Sequence, residues 1–218
     1  MTGCHQLRQP QKRAYFMVKK NLTSRDKQAQ ATKKRIYDTA IQLILKKGFD
    51  NVTLEEISRE VGIAKGLFYH YYKSKADLIV ESYRIIDEDL EKRLAALDKN
   101  ATPLEKIYFT VFTMARDAKK YKADLVKQIY KGQLDTGTDY FLRRQRPFFK
   151  TVRDSIAALQ AEGSMKKNIK PDEYAHFIMT VARGVLYDWC LHKGKYDVEA
   201  AMKKYFREII FPRIIEKA

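Results

Sequence analysis

The sequence has little of what metal sites, disulfide frameworks and membrane spans require. The chain of 218 residues contains two cysteines, Cys4 and Cys190, which lie at opposite ends and have no metal or redox spacing. No apolar run approaches the length of a membrane span, and nothing resembles a secretory signal. These absences favour a reduced, cytoplasmic protein with no membrane partner, in which Cys190 is a small buried hydrophobe.

The motifs of common enzyme sites are also missing. The sequence has no glycine-rich phosphate loop, nucleophile elbow or HExxH motif. Its histidines, His5, His70, His176 and His192, are far apart and none has metal-ligand spacing. Asp188 and His192 can meet on one helix face, but a surface or interface hydrogen bond is far commoner there than a catalytic pair. We therefore expect no enzyme, no catalytic residue, no metal and no cofactor.

Acidic residues are outnumbered by basic ones. The chain has 43 Lys and Arg against 27 Asp and Glu, which gives a formal net charge of +16. The excess of positive charge is denser in the first 80 residues than in the remainder. Because a phosphate backbone requires a basic surface, the N-terminal third fits a contact with nucleic acid.

Strand-type alternation is absent, so we expect an all-α protein organised around two short helices at residues 53–75. Thr53 and Glu56 have capping-box spacing, which marks the start of the first helix. Gly62 supplies a left-handed turn at low steric cost. The two helices around this turn have helix-turn-helix geometry.

The second helix of the pair, which we call the recognition helix, has few acids and many aromatic and donor side chains. A helix that enters the DNA major groove needs a small or basic first turn and donors for the flanking phosphates. Lys65 and Tyr69 are the leading candidates for DNA contacts. The predicted DNA-binding residues are Thr53, Lys65, Gly66, Tyr69, His70, Tyr71, Lys73 and Lys75. The alternative is a small amphipathic hairpin whose aromatic residues are core.

The order of these motifs resembles the DNA-binding domain of the TetR family of bacterial transcriptional regulators. The matching segments, within roughly residues 30–80, are KKGF at 46–49, VTLEEI at 52–57, VGIAKGLFY at 61–69 and KSKADL at 73–78. Ala64 departs from the Ser or Thr that commonly caps the recognition helix in that family, and Leu67 from a Thr that can reach DNA. Tyr72 stands where the family usually has a core aromatic residue.

Three segments follow from the pattern and the resemblance. Residues 1–23 are predicted to be a disordered basic extension, and Met17 looks like a true start, so residues 1–16 are either native or an upstream artefact. Residues 24–73 form the helix-turn-helix DNA-binding domain, and residues 74–218 the helical ligand-binding and dimerisation domain. Within the latter we expect helices at 74–98, 102–120, 123–131, 141–162 with a kink or a division into two pieces at Pro147, 171–193 and 198–210, with a loop at 132–137.

The last two predicted helices are the expected dimer interface. Two such helices from each subunit would make a four-helix bundle, as the resemblance implies, and Gly184 would permit close approach. A two-fold dimer also places two recognition helices about one helical turn apart on a palindrome. The predicted interface residues are Phe177, Val181, Gly184, Val185, Trp189, Met202, Tyr205, Phe206 and Ile209. The alternative is that these faces are ordinary core.

In the resembling family the region before the interface encloses a small-molecule pocket. An aromatic lining here would suit a hydrophobic or aromatic effector. The predicted ligand-binding residues are Tyr108, Phe109, Phe112, Tyr130, Phe141, Phe148, Phe149 and Tyr187. The same residues are also compatible with plain core.

The sequence thus predicts a ligand-responsive regulator that binds a palindromic double-stranded DNA operator as a homodimer. The predicted fourth helix has an apolar stripe from Leu78 to Leu97, longer than the small domain alone can cover, so its displacement by a ligand would change the spacing of the recognition helices. Repression is the mode that the resemblance implies. The alternative is a helical ligand-binding adaptor that acts through a protein partner, which a salt-dependent DNA titration distinguishes.

Overall fold

The computed structural model describes residues 23–136 and 140–215. The predicted basic extension, apart from Thr23, lies outside these residues. Over the described ranges the secondary structure is helical, with one isolated antiparallel bridge between Met165 and Ile215 and no strand. The predicted all-α class is confirmed.

The first four helices share one hydrophobic core. They are α1 (Ser24–Lys47), α2 (Leu54–Val61), α3 (Lys65–Tyr71) and α4 (Lys75–Ala95). α1 begins at a capping box in which Thr23 and Asp26 satisfy each other's backbone N–H groups. Ile36, Ile57 and Phe68 are fully buried in this core, which binds the recognition helix, α3, to the two helices before it.

The remaining helices form a second core. They are α5 (Pro103–Thr136), a 3₁₀ turn (Tyr140–Leu142), α6 (Pro147–Ala161), α7 (Pro171–Leu191), α8 (Val198–Lys204), a π-helical turn (Tyr205–Ile210) and α9 (Phe211–Ile214). α4 contributes Leu78 and Ile79 to the first core and Leu90 to the second. A shift of α4 would therefore disturb both cores at once.

One predicted loop needs correction, and two predicted interruptions are present. The loop expected at 132–137 is helical up to Thr136. Gly132 lies within this helix and close to Tyr83, since a Cβ there would lie 3.0 Å from the Tyr83 hydroxyl. The break expected between the helices at 102–120 and 123–131 lies at Lys122, with φ 60° and ψ 157°. The segment expected at 141–162 is in two pieces, a 3₁₀ turn and α6, and Pro147 begins α6, where its missing N–H removes no intrahelical hydrogen bond.

The capping box predicted at Thr53 and Glu56 is only half formed, and Ser74 and Asp77 at the start of α4 form neither half of one. Thr53 Oγ1 accepts a hydrogen bond from the Glu56 N–H at 3.1 Å, but the Glu56 carboxylate forms an ion pair with Lys47. At α4 the Asp77 carboxylate accepts a hydrogen bond from the backbone N–H of Lys73 at 2.7 Å, and Ser74 caps no backbone N–H with its side chain. The Lys47 ammonium thus replaces the backbone partner that the Glu56 carboxylate has in a full box.

Candidate nucleic-acid interface and cavity

A left-handed glycine sets the direction of the recognition helix. Gly62 ends α2 with φ 75° and ψ 40°, and its N–H donates to the carbonyl oxygens of Ser58 and Arg59. α3 then starts at Lys65 after Ala64, whose methyl side chain makes no capping hydrogen bond. The N-terminal end of α3 consequently has no side-chain cap.

One face of the recognition helix is buried and the other is exposed. Phe68 is fully buried, and Tyr72, directly after the helix, packs beside it with a ring-centroid distance of 5.9 Å. Tyr69 is 45% exposed, and Lys65 and His70 are also exposed. Three further predicted DNA-binding residues, Gly66, Lys73 and Thr53, are exposed, and Tyr71 is half-buried. The aromatic residues of α3 therefore divide between core packing and the surface.

The leading basic residue of this face is held by an acid. Lys65 forms an ion pair with Glu55 of α2, and its ammonium lies 5.9 Å from the centre of the Tyr69 ring. The hydrogen bond with Glu55 raises the pKa of Lys65, and the same bond lowers the pKa of Glu55. Both side chains are largely in solvent, so DNA can displace the carboxylate at little cost.

Lys75 differs from the other predicted contacts because its ammonium points back into the protein. Its Nζ donates to the carbonyl oxygen of Phe49 at 2.7 Å and lies 4.5 Å from the centre of the Phe49 ring. The role of Lys75 in the structure is to fix the segment between α1 and α2. A phosphate contact from this residue requires that bond to be shared or broken.

A cavity of about 90 Å³, partly open to solvent, lies where the two cores meet. Its walls come from α4, α5, the 3₁₀ turn, α6 and α7. The lining residues are Tyr83, Ile86, Met114, Asp117, Ala118, Tyr121, Val126, Ile129, Tyr130, Phe141, Arg146, Phe148, Met179, Arg183 and Leu186. Because Tyr83 and Ile86 belong to α4, a change in this cavity is felt directly by the helix that both cores share.

Three of the eight predicted ligand-binding residues line this cavity: Tyr130, Phe141 and Phe148. The other five lie elsewhere. Tyr108 and Phe112 stack with ring centroids 5.3 Å apart, under the guanidinium of Arg207. Phe149 is buried in the second core, Phe109 packs against it, and Tyr187 is 54% exposed. These five residues do not line the cavity, because their side chains lie in the second core or in solvent.

Two charged residues of the cavity wall, Arg146 and Asp117, form ion pairs. Arg146 donates from Nη2 to Asp87 Oδ1 at 2.7 Å and from Nε to Oδ2 at 3.0 Å, and the Tyr140 hydroxyl donates to the same carboxylate at 2.7 Å. Asp117 accepts two bonds from Arg93, at 2.8 and 3.0 Å. Burial raises the pKa of Asp117, although Arg93 acts in the opposite direction.

Arg183 is the third charged residue of the wall, and its guanidinium donates hydrogen bonds to uncharged oxygens. Its Nη1 donates to the carbonyl oxygen of Phe141 at 3.1 Å and its Nη2 to Thr180 Oγ1 at 3.2 Å. Burial lowers the pKa of Arg183, and the positive charge of Arg146 acts in the same direction. Sequence reasoning missed Arg146, Arg183 and Asp117. The sequence did contain one sign of a charged cavity wall: Arg183 is a lone cation in the apolar run from Phe177 to Leu186 of α7.

The predicted interface residues separate into two groups. Phe177, Gly184, Tyr205 and Ile209 are exposed, and Val181 is half-buried. The other four, Val185, Trp189, Met202 and Phe206, are buried inside the protomer's own core. Trp189 also donates from its indole N–H to the Tyr196 carbonyl oxygen at 2.9 Å. These four are corrected to core positions, because side chains covered by their own chain cannot line a contact with another.

Tyr187 and Leu191 extend the exposed group along α7. With Phe177, Thr180 and Gly184 they recur at intervals of three and four residues, so they lie on one helix face. A Cβ added at Gly184 would meet nothing within 4 Å. Phe177, Thr180, Gly184, Tyr187 and Leu191, together with Tyr205 and Ile209 from the π-helical turn, are called the α7 stripe below.

The described part of the chain has neither a cluster of metal ligands nor a membrane-spanning helix. Over residues 23–136 and 140–215, no group of three or more His, Cys, Asp and Glu residues is placed to hold a metal ion. Within those same residues no helix is long and apolar enough to cross a membrane.

Comparison with known proteins places the helix pair in a family. Residues 36–81 match the model described as bacterial regulatory proteins, tetR family. The HTH-type transcriptional regulator YdeS of Bacillus subtilis is 29% identical over 183 residues, which are 83% of this chain and 87% of that protein. YerO of the same organism is 25% identical over 177 residues, 77% of this chain and 59% of its own length.

A further relative is more similar over a shorter stretch. The HTH-type transcriptional regulator BetI of Agrobacterium fabrum is 37% identical over 76 residues, 34% of this chain and 37% of that protein. The chain thus spans less than two thirds of the length of YerO and BetI. These relatives are described as transcriptional regulators, which agrees with the expectation from the sequence that the chain is not an enzyme.

Solved structures share the fold at low sequence identity. A transcriptional regulator from Saccharomonospora viridis in complex with choline has a TM-score of 0.65 at 21% identity, covering 86% of this chain and 100% of that one. Thermus thermophilus FadR in complex with lauroyl-CoA has a TM-score of 0.63 at 16% identity, covering 85% and 97%. The matched helix pair, the aligned regulators and the shared helical fold agree: residues 36–81 have the sequence of a DNA-binding segment of bacterial regulatory proteins of the tetR family, and the chain as a whole is similar to transcriptional regulators.

Proposed function

We propose that this protein binds an operator in double-stranded DNA as a homodimer through α3 and leaves it when a small molecule enters the cavity. The observation that carries the proposal is the two-sided recognition helix. Phe68 anchors one side in the core, while Lys65, Tyr69 and His70 extend from the other. Side chains held on a rigid helix in this way can enter the major groove without ordering a loop first.

Residues around the recognition helix would contact the phosphates. Thr53 and Lys73 are exposed at either side of the helix pair, and the chain carries a formal net charge of +16. Backbone contacts of this kind fix the register of a protein on DNA but carry no sequence information. We assign Lys65 and Tyr69 to base edges and Thr53, His70, Tyr71 and Lys73 to supporting contacts, with Gly66 permitting close approach. As a regulator of bacterial genes, the protein would act in the cytoplasm.

The α7 stripe would form the dimer contact. An apolar helix face that is exposed in the protomer is a usual feature of an interaction site. Gly184 lies in the middle of this face, and the space around it allows a second helix to approach closely. Two recognition helices in one dimer would then bind the two halves of a palindrome.

The cavity would hold the effector, because it lies where the two cores meet and shares its wall with α4. Similar folds bind chemically unlike molecules, choline in one structure and lauroyl-CoA in another. The cavity of about 90 Å³ is smaller than the ~150 Å³ that accepts benzene in an engineered protein. An effector of the size of benzene or larger must therefore displace residues of the cavity wall.

Three contacts, two from α4 and one from α5, would carry that movement to the DNA-binding helices. On α4, Asp87 is tied to the cavity through Arg146, and Tyr83 donates to the carbonyl oxygen of Ile129 at 3.0 Å. On α5, Asp124 accepts a hydrogen bond at 3.0 Å from the backbone N–H of Phe49, just before α2. An effector that prefers the displaced arrangement would weaken operator binding by about 1–3 kcal/mol of coupling.

Footprinting tests this proposal. The purified protein is incubated with the DNA beside its own gene and with random DNA across a salt series. We expect a protected palindrome that is bound far more tightly than random DNA, and repression of a reporter placed behind it. Weak binding that ignores sequence and vanishes with salt would reject the proposal and favour a ligand-binding adaptor that acts through a protein.

A further inference from the structure

The cavity has one positive charge that its own wall does not neutralise. Arg146 is paired with Asp87, and Asp117 with Arg93. The guanidinium of Arg183 bonds only to the neutral oxygens of Phe141 and Thr180, and within residues 23–136 and 140–215 no carboxylate forms an ion pair with it. Arginine stays protonated at physiological pH, so this charge cannot be removed by loss of a proton.

A half-buried cation without a counterion is unfavourable for the protomer. Burial disfavours the charged form of Arg183, and the nearby guanidinium of Arg146 acts in the same direction. Its position on α7 between Met179 and Leu186 adds to the cost, since both neighbours line the same apolar cavity. A positive charge that folding leaves uncompensated in a cavity wall is suited to meet a negative charge from a ligand.

Apart from its three charged residues, the wall is mainly aliphatic and aromatic. Met114, Val126, Met179 and Leu186 contribute aliphatic surface, and Tyr83, Phe141 and Phe148 contribute aromatic rings. Methionine side chains have three rotatable bonds and adapt to the shape of a ligand, so Met114 and Met179 are the parts of the wall that can yield. The volume of about 90 Å³ suits a compact body better than a long chain.

We propose that the effector is a small organic carboxylate with a compact apolar or aromatic body, and that Arg183 binds its carboxylate group. A guanidinium donates two parallel hydrogen bonds to a carboxylate, which is the geometry that arginine recognises best. The apolar body occupies the space between Met114, Phe148 and Leu186. This inference rests on the part of the proposed function that assigns the cavity to the effector.

Matched probes of one shape and different charge test the proposal without DNA. Benzoate, phenylacetate and hexanoate are titrated into the protein by calorimetry, with benzamide and benzylamine as neutral and cationic counterparts of benzoate. We expect at least one of the acids to bind and to raise the melting temperature, and the amide and amine to bind at least tenfold more weakly. Equal binding of benzamide and benzoate, or no binding of any of the three acids at millimolar concentration, would overturn the proposal.

Variants of Arg183 identify the binding group. Arg183→Gln should reduce the affinity for the bound acid roughly ten- to a hundredfold, because it removes a charged hydrogen-bond donor. Arg183→Lys keeps the charge but loses the planar fork, so its affinity should lie in between. Arg207→Gln, which changes an arginine stacked outside the cavity, should bind the acid like the wild type. Unchanged binding by Arg183→Gln would overturn the assignment.

Two controls separate the possible failures. The melting temperature of Arg183→Gln without ligand should equal or exceed that of the wild type, because an uncompensated charge is removed. A change in its oligomeric mass would instead mean that Arg183 contacts a partner subunit, and would overturn the proposal. If the protein binds its operator but no acid, the carboxylate proposal is rejected and the proposed DNA binding stands. If an acid binds but no operator is found, the proposed DNA binding is rejected and the carboxylate proposal stands.

Discussion

Lys65, at the first turn of the recognition helix, forms an ion pair with Glu55 of the helix before it. The acid holds the leading basic side chain in place but also puts a negative charge beside the surface that would meet DNA. Both side chains are more than half exposed, so the pair itself adds little to stability. Its main effect should be on DNA binding.

Substituting this acid tests that effect. Glu55→Gln should raise the affinity for DNA of any sequence several-fold, because it frees Lys65 and removes a repulsive carboxylate. The slope of log affinity against log salt should steepen by up to about 0.9, the value of one added phosphate contact. DNA titrations across a salt series provide the measurement. Glu162→Gln, which makes the same charge change at the exposed end of α6, is the control and should leave both quantities nearly unchanged. Equal effects of the two variants would contradict the prediction.

Thr53 has a structural role that can be separated from DNA contact. Thr53→Ala should lower the free energy of unfolding by about 1 kcal/mol, because the Glu56 N–H loses its acceptor. Thr53→Asp keeps a capping acceptor and should be as stable as the wild type, yet bind DNA more weakly because it adds a negative charge. Urea denaturation and DNA titration measure the two properties. Wild-type DNA affinity in Thr53→Asp would mean that this residue lies away from the DNA.

The pair of Asp87 and Arg146 should behave as a coupled unit. Their side chains are each 12% exposed, so removing one partner leaves the other charge buried and without its counterion. Asp87→Ala and Arg146→Ala should each cost about 3 kcal/mol of unfolding free energy, and the double variant should cost less than the sum by about 1–3 kcal/mol. Arg144→Ala, which breaks a more exposed pair with Asp172, is the control and should cost at most about 1 kcal/mol. Additive losses would show that Asp87 and Arg146 are not coupled.

The α7 stripe and the core behind it should respond differently to substitution. Leu191→Arg and Phe177→Arg should turn a dimer into a folded monomer, because both side chains are exposed in the protomer. Val80→Arg, an exposed apolar position on α4, should leave the dimer intact. Light scattering after gel filtration gives the mass. A dimer that survives both arginine substitutions would place the interface elsewhere.

Trp189 is the contrasting position on the same helix. It is only 4% exposed and packs within the second core. Trp189→Ala should therefore lower the free energy of unfolding by about 3–5 kcal/mol. Chemical denaturation measures the loss. Full stability with loss of the dimer would restore Trp189 to the interface.

Local patterns made the helix pair predictable. Thr53 and Gly62 delimit α2 through short-range backbone chemistry, and the alternation of Phe68 and Tyr72 with Lys65 and Tyr69 follows from helical period alone. Neighbours in sequence determine these features. The fold class was predictable for the same reason.

The cavity could not be located in this way, because its wall is assembled from four helices and a 3₁₀ turn that are distant in sequence. An aromatic residue such as Phe149 gives no local sign of whether it faces a cavity or a core. The assignment of Trp189 failed similarly: apolar periodicity predicts which face is buried, but not whether its own chain or a partner covers it. Arg183 was the exception, since a cation within an apolar helix face stands out in the sequence.

The most direct test of the proposed function compares wild-type protein and Lys65→Ala on the footprinted operator and on random DNA at several salt concentrations. We expect the wild type to bind its operator at least about 10³-fold more tightly than random DNA. Lys65→Ala should lose more affinity for the operator than for random DNA. A wild type that shows no preference for any operator would contradict DNA reading by this helix, and equal losses on both DNAs would reduce Lys65 to a phosphate contact.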